Sequence, residues 1–188
     1  MDITIVLPIS RDTYLRKVFE GLEFLITENH KVNLLTYVDG DLNLYNKVRN
    51  MTNNSRFAEK LSVYRKKGIA GTSTMLRRRK RIADIHNEIK EYVNDCEYIF
   101  VVEDDTYLPR TALVGLLNMM KSTTGIASGV QLGRHGFYHI GAWRADDVYE
   151  PSVIESIGKD KGIVEVDATG MYACMLRKDL YMEHNFEP

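Results

Sequence analysis

Cysteine, proline, tryptophan and net charge are all scarce in this chain. Its 188 residues include 2 cysteines, 4 prolines and 1 tryptophan, and the formal charge is −1. Cys96 and Cys174 lie far apart and share neither a metal nor a redox spacing, which fits a reducing, cytoplasmic setting. Without an excess of basic residues there is no overall field to draw nucleic acid. No window approaches the ~20 apolar residues of a membrane span. The N-terminal "MDITIVLPIS" lacks the basic start and long apolar stretch of a signal peptide. Repeats and low-complexity tracts are absent as well. What remains is a globular composition, 44% hydrophobic and 27% charged, long enough for one domain with a sizeable core.

Hydrophobic patterning predicts strands over 3–8, 31–38, 60–65, 98–102 and 125–131, with one or two more inside 162–181. Helices are expected after Ser10 or Asp12, either of which is suited to cap a helix reaching about Glu28, with Leu15, Val18, Phe19, Leu22 and Ile26 on one face. A long helix is expected from about Ser73 to Asn94, and another from Pro109 to Met120. The Asn-rich stretch before residue 56 reads as a short helix and a loop, and 136–144 as a hairpin partner of 125–131 or a loop. Early alternation of strand and helix followed by a hairpin-rich half argues for an α/β sandwich with a mixed sheet. Ligands of such sheets bind beyond the carboxyl ends of the strands. Three strands here end in polar or acidic groups: "LPIS", "YVDGD" and "VVEDD".

The last of these is the most informative. Glu103, Asp104 and Asp105 cannot all face a dry interior, because unpaired buried charge is costly. Three readings fit: a solvated turn with an acid capping the next helix, a hard-cation site completed by phosphate, or a phospho-accepting aspartate. The preceding helix opens with five basic residues in succession, "RRRKR" at 77–81. A helical wheel puts Met75, Arg78, Ile82, His86, Ile89 and Val93 on one stripe, with Ile82, Ile89 and Val93 facing the core and Arg78 nearest the buried side. The basic run is either a solvated face or, beside a metal-holding acidic cluster, a clamp for a diphosphate. Cations in the first turns oppose the helix dipole, and a bound anion offsets that. His86 reads as a hydrogen-bonded core histidine or a ligand, and His184 as a surface histidine or a further metal ligand.

The run "RIADIHNEI" (81–89), followed by "EYIFVVEDDTYLPRTAL" (97–113), resembles the nucleotide-sugar half of GT-A fold glycosyltransferases, specifically inverting family 2. "ITIVLPISRD" resembles that family's first strand and helix entry, "LLTYVDGD" its second strand, and "VDATGMYACMLRKDLY" its late strand and helix start. The resemblance implies a GT-A-like, Rossmann-type α/β/α sandwich with a mixed, mostly parallel sheet. It implies a single domain over 1–188, with about 1–109 binding the nucleotide and about 110–188 serving donor sugar and acceptor. The activity implied is transfer of a sugar from a nucleotide-diphosphate donor, UDP-linked in the first instance, to a sugar, glycan, lipid or protein acceptor, with Mn2+ or Mg2+.

Carried over by position, Asp39 would accept the base N–H, Asp104 would hold ribose or a water beside the metal, and Asp105 would ligate the metal. Pro8 and Ser10 would line the nucleotide. Arg81 holds the family's arginine position, and Arg78 stays beside it as a phosphate candidate. Glu103 and Asp105 fit the strict DxD-type spacing, so Glu103 stays a nucleotide contact. Gly170 either opens the donor-sugar pocket or is a bulge or turn glycine. Trp143 either stacks on an acceptor sugar or packs in the hairpin, and Asp167 is the other acceptor-side residue. No residue is assigned as the base, because the family's segment for it would begin near the C-terminal "MEHNFEP".

Rival readings have their own requirements. A sugar-phosphate nucleotidyltransferase needs a glycine-rich loop after the first strand, and "LPISRD" has none. A phospho-receiver needs its acidic pair after the first strand. A nucleotide-sugar-binding module without an acceptor base needs nothing that this sequence lacks.

Overall fold

The computed structural model describes residues 1–66, 75–129, 142–143, 163, 165–166 and 168–187. In chain order these form β1 (Asp2–Ile9), α1 (Leu15–Glu23), β2 (Lys31–Gly40), α2 (Leu42–Asn53), β3 (Lys60–Lys66), α3 (Met75–Ile89) and a 3-10 turn (Lys90–Tyr92). There follow β4 (Tyr98–Val102), α4 (Ala112–Met119), β5 (Ile126–Ser128), β6 (Ala142–Trp143), β7 (Ala168–Thr169), β8 (Ala173–Arg177) and α5 (Lys178–Glu183).

Six strands make one sheet in the order β3-β2-β1-β4-β8-β5. The first four run parallel, and β8 is antiparallel to both β4 and β5. Strand parity sorts the side chains into two cores, as a pleat requires. Ile3, Ile5, Leu7 and Ile9 of β1, with Phe100 and Val102 of β4, face one layer where α1, α2 and α4 supply Leu22, Val48 and Leu113. Val6, Leu35, Tyr37, Ile99 and Val101 face the other, against Ile85 and Ile89 of α3 and Tyr181 of α5. Covered on both faces, the central strands read in the sequence as unbroken apolar runs. The result is an α/β/α sandwich with a mixed, mostly parallel sheet, as expected. The chain steps from β1 to β2 to β3 in one direction, then crosses by α3 to β4 on the far side of β1. The carboxyl ends of β1 and β4 therefore flank the switch point where open sheets of this kind hold ligands.

Local expectations need several corrections. Neither Ser10 nor Asp12 caps α1: the cap position is Tyr14, which makes no side-chain cap bond. Helix α1 also ends at Glu23, so Leu25 is buried and Ile26 is exposed. The Asn-rich stretch does hold the expected short helix and loop: α2 forms because Asp41 accepts the Leu44 N–H at 2.8 Å and Val48 and Thr52 are buried. On α3 the wheel has the right period and phase at His86 and Ile89, with Val93 packed on the same core, and fails at Ile82. Ala83, Ile85, His86 and Ile89 are buried, whereas Ile82 is 54% exposed. The strand at 142–143 pairs with β7, with Ala142 opposite Thr169, not with β5.

Candidate functional site

The site is built on the turn that follows β4. Thr106 N–H donates to the Glu103 carbonyl at 3.1 Å, closing a tight turn with Asp104 and Asp105 at its two central positions. The turn is fastened from two sides. On the β8 side, the Tyr172 carbonyl accepts both the Glu103 N–H at 3.0 Å and the Thr106 hydroxyl at 3.1 Å. On the β1 side, Ser10 donates to Asp104 Oδ2 twice, from its backbone N–H at 2.9 Å and its hydroxyl at 3.1 Å. Arg11 then takes Asp104 Oδ1 in a fork, Nε at 3.2 Å and Nη2 at 3.1 Å, and the same Nη2 donates to Asp105 Oδ2.

Burial shows how these charges are tolerated. The Asp104 and Asp105 side chains are 8% and 2% exposed, while that of Arg11 is 43% exposed. The carboxylates are withdrawn from water under a guanidinium that still reaches it. Charge-assisted hydrogen bonds of this kind are what make buried carboxylates affordable. Sequence reasoning placed Ser10 and both aspartates in the site and missed Arg11. The signal lay in "ISRD", a cation directly after a strand, but it has meaning only once β1 is known to lie beside β4.

A second pair occupies the neighbouring strand end. Residue parity on β2 puts Asp39 on the same face as Leu35 and Tyr37, toward α3. Arg81 lies one helical turn before Ile85, in line with Ile85 and Ile89 on the packed face of α3. The two meet: Arg81 Nε and Nη2 hold Asp39 Oδ2, and Nη2 also donates to the Asp39 carbonyl at 3.3 Å. The Asp39 side chain is 3% exposed under a 36% exposed Arg81. Beyond the register pair Ile9–Val38, the next residues on the two strands are Ser10 and Asp39, so the two carboxylate groups belong to adjacent strand exits.

The other expected site residues divide. Pro8, half-buried, pairs in register with Tyr37 near the carboxyl end of β1. Glu103 is half-buried at the start of the acidic turn, and its charge helps burial push up the Tyr172 phenol and the Cys174 thiol. At Gly170 a Cβ would come within 2.4 Å of the Tyr172 ring, so that ring fills the space beside the glycine. The side chains of Arg78 and Trp143 lie outside the described residues, as does Asp167. The backbone of Trp143 is in β6, opposite Ala168.

His86 is a core histidine. It is 3% exposed, and its Nδ1 lies 3.1 Å from the Tyr181 hydroxyl. Burial, aided by the charge of Lys90, holds its pKa down to about 4. His184 is exposed, and its carbonyl accepts from Lys90. An open cleft of about 660 Å3, lined by Met1, Cys96, Tyr98, Arg177, Lys178 and Met182, lies at the opposite, amino end of β1 and β4 and away from these residues. No helix among the described residues is long and apolar enough to cross a membrane. Among those residues, too, no three His, Cys, Asp or Glu side chains gather as a metal cluster.

The oxygen donors of the acidic turn nevertheless suit a hard dication. Mg2+ and related ions are commonly held by one or two carboxylates, with substrate phosphates and water supplying the remainder. Asp104 Oδ1 and Asp105 Oδ2 already converge on one cationic nitrogen.

Neither protein-family models nor curated proteins give a match by sequence. Solved structures do. The chain is similar to the mannosyltransferase PcManGT from Pyrobaculum calidifontis, solved in complex with GDP-Man and Mn2+, with a TM-score of 0.65 and 10% identity over 96% of this chain. It is similar to residues 1–349 of S. aureus TarS (TM-score 0.56, 10% identity, 97% of this chain). It is also similar to mouse xyloside xylosyltransferase 1, at 0.51 and 10% over 98% of this chain and 70% of that one. The chain spans about half the length of the first two, 46% and 49%. At such identities the likeness is one of fold, and it extends over nearly the whole sequence. The chain has the GT-A glycosyltransferase fold.

Proposed function

We propose that this chain binds a nucleotide-diphosphate sugar, UDP-linked in the first instance, together with Mn2+ or Mg2+, and transfers the sugar to a hydroxyl acceptor. The observation that carries this reading is the convergence of Asp104 and Asp105 with Ser10 and Arg11 at the switch point between β1 and β4. Support comes from the fold, which PcManGT uses with GDP-Man and Mn2+.

Each residue then has a physical task. Asp105, with Asp104 beside it, would hold the dication. The dication, when bound, stabilises charge developing on the departing diphosphate. Asp104 is fixed by two bonds from Ser10, so its free energy of ordering is already met before a donor arrives. It can therefore position ribose or a metal-bound water without rearranging. Asp39 would accept the base N–H, oriented by Arg81. Arg11, Arg78 and Arg81 are the cations for the phosphates, with Pro8, Glu103 and Gly170 at the edges of the donor site. Trp143 and Asp167 belong to the acceptor side. The attacking hydroxyl must lose its proton to a base, and no described residue is assigned that role. The two buried, unbridged cysteines suit a reducing, cytoplasmic setting.

The test is thermal unfolding with UDP, GDP and CDP, each with and without Mn2+, for the wild type and Asp105→Asn. A ligand at about 100 times its Kd adds about 2.7 kcal/mol, several degrees for a domain of this size. The expected result is a shift with one nucleoside diphosphate that needs both Mn2+ and Asp105. No shift with any nucleotide overturns the proposal. Binding without transfer to any acceptor would make the chain a nucleotide-sugar-binding module instead.

A further inference from the structure

Arg11 bridges two buried carboxylates, and the sequence pattern gave it no role. Its Nη2 is 3.1 Å from Asp104 Oδ1 and also bonds Asp105 Oδ2, so one cationic nitrogen sits where two oxygens from adjacent residues converge. That point is also where a dication held by both aspartates would need to be. A guanidinium and a metal ion cannot share it: the oxygens would be claimed twice, and the two cations would repel at contact distance.

Three features make Arg11 the member that can leave. Its side chain is 43% exposed, against 8% and 2% for the two acids, so it is the partner with a route to water. Asp104 does not depend on it for position, because Ser10 holds the other oxygen from both its N–H and its hydroxyl. The turn itself is tied to Tyr172 through Glu103 N–H and the Thr106 hydroxyl, so the acids stay in place when the guanidinium moves.

We propose that Arg11 is an internal counter-cation that occupies the dication's place in the ligand-free protein and is displaced from it when metal and diphosphate arrive together. Once displaced, its guanidinium is a phosphate partner at the same strand exit, because β1 ends one residue before Ser10. Arg11 is thus a positioning residue: it makes metal binding conditional on the diphosphate, and it guards the buried acids while the site waits. This inference rests on the donor-site reading above.

The experiment is Mn2+ binding, measured by the EPR signal of the free ion, with and without saturating UDP or GDP, on the wild type, Arg11→Gln and Arg11→Lys. Circular dichroism checks that each variant is folded. For the wild type, weak Mn2+ binding alone and much tighter binding with the nucleotide are expected. Removing a charge at contact distance should tighten Mn2+ binding to Arg11→Gln without nucleotide by about tenfold or more. The same variant should lose most of the nucleotide's enhancement and bind the diphosphate about tenfold more weakly. Arg11→Lys should fall between them, because an ammonium is a compact charge without the fork that bridges both acids. Wild-type and variant proteins binding Mn2+ alone with equal strength would overturn the role of Arg11 and leave the donor site standing. No Mn2+ binding by any of the three, with or without nucleotide, would overturn the donor site and this inference with it.

Discussion

Lowering the pH from 7 to 4.5 would place a charge on His86 in any unfolded chain, while the folded protein resists it. The ring is 3% exposed, it faces the Tyr181 hydroxyl at 3.1 Å, and the Phe186 ring lies over it with centroids 5.0 Å apart. Lys90 is the nearby charge acting on it, and its sign is the same as that of a protonated imidazole. Burial first, and Lys90 second, take the pKa from an ordinary 6.5 down to about 4. The folded state therefore binds the proton less readily than the unfolded one. Stability from this group is fully present above pH 6.5 and is lost as the pH falls toward 4.

A gap of this size is worth about 3 kcal/mol in total, of which about 2 kcal/mol is lost between pH 7 and pH 4.5. That is a large share of the ~5–15 kcal/mol that holds a typical domain together, and it corresponds to a fall in Tm of roughly 5–10 °C. Urea unfolding at the two pH values measures it, with His86→Gln as the comparison, since glutamine can still meet the Tyr181 hydroxyl but does not titrate. Every other group titrates in both proteins, so the difference in their pH dependence isolates His86. The wild type should lose about 2 kcal/mol more than the variant. Equal losses, or an imidazole proton resonance of His86 that titrates near its ordinary value, would refute the argument.

The side-chain amide of Asn87 makes a reciprocal pair with the Phe186 backbone, donating to its carbonyl at 3.0 Å and accepting its N–H at 2.9 Å. Asn87→Ala should therefore cost about 1–2 kcal/mol and speed hydrogen exchange at the Phe186 amide; unchanged protection there would mean that the segment is held by its ring alone. Asp39→Asn bears on base recognition. A carboxylate can only accept from uracil, whereas an amide can also donate to cytosine. If the proposed role is right, the variant's thermal shift with UDP should shrink relative to that with CDP, and an unchanged ratio would remove Asp39 from base recognition.

How far the sequence disclosed this structure depends on which information is local. The strands were legible because both faces are covered, so "ITIV" and "YIFVV" carry apolar residues without a break. The stripe on α3 was legible at His86 and Ile89, but how much of it is covered depends on the elements it meets, and Ile82 is exposed while Ala83 and Ile85 are buried. Arg81, one turn before the buried Ile85, meets Asp39, a pairing that joins α3 to the end of β2 and that the sequence alone did not show. Helix α2 was legible in spite of its asparagines, whose low propensity is outweighed by the Asp41 cap and by the burial of Val48 and Thr52.

The site was half legible for the same reason. Acids at a strand end can be seen in the sequence; their counter-ions cannot, because β1 and β4 are neighbours only through a crossover in the fold. Once the pairing is known, the two arginines are seen to do different work. Arg81 serves one carboxylate and the carbonyl of the same residue, a closed arrangement that orients Asp39. Arg11 reaches across two carboxylates from adjacent residues, and of those two, Asp104 has Ser10 as an independent holder. A closed pair suits recognition of a neutral base, whose N–H needs an oriented acceptor. A bridging cation suits a place that must be vacated, since two convergent oxygens are what a dication requires and what a single guanidinium can surrender.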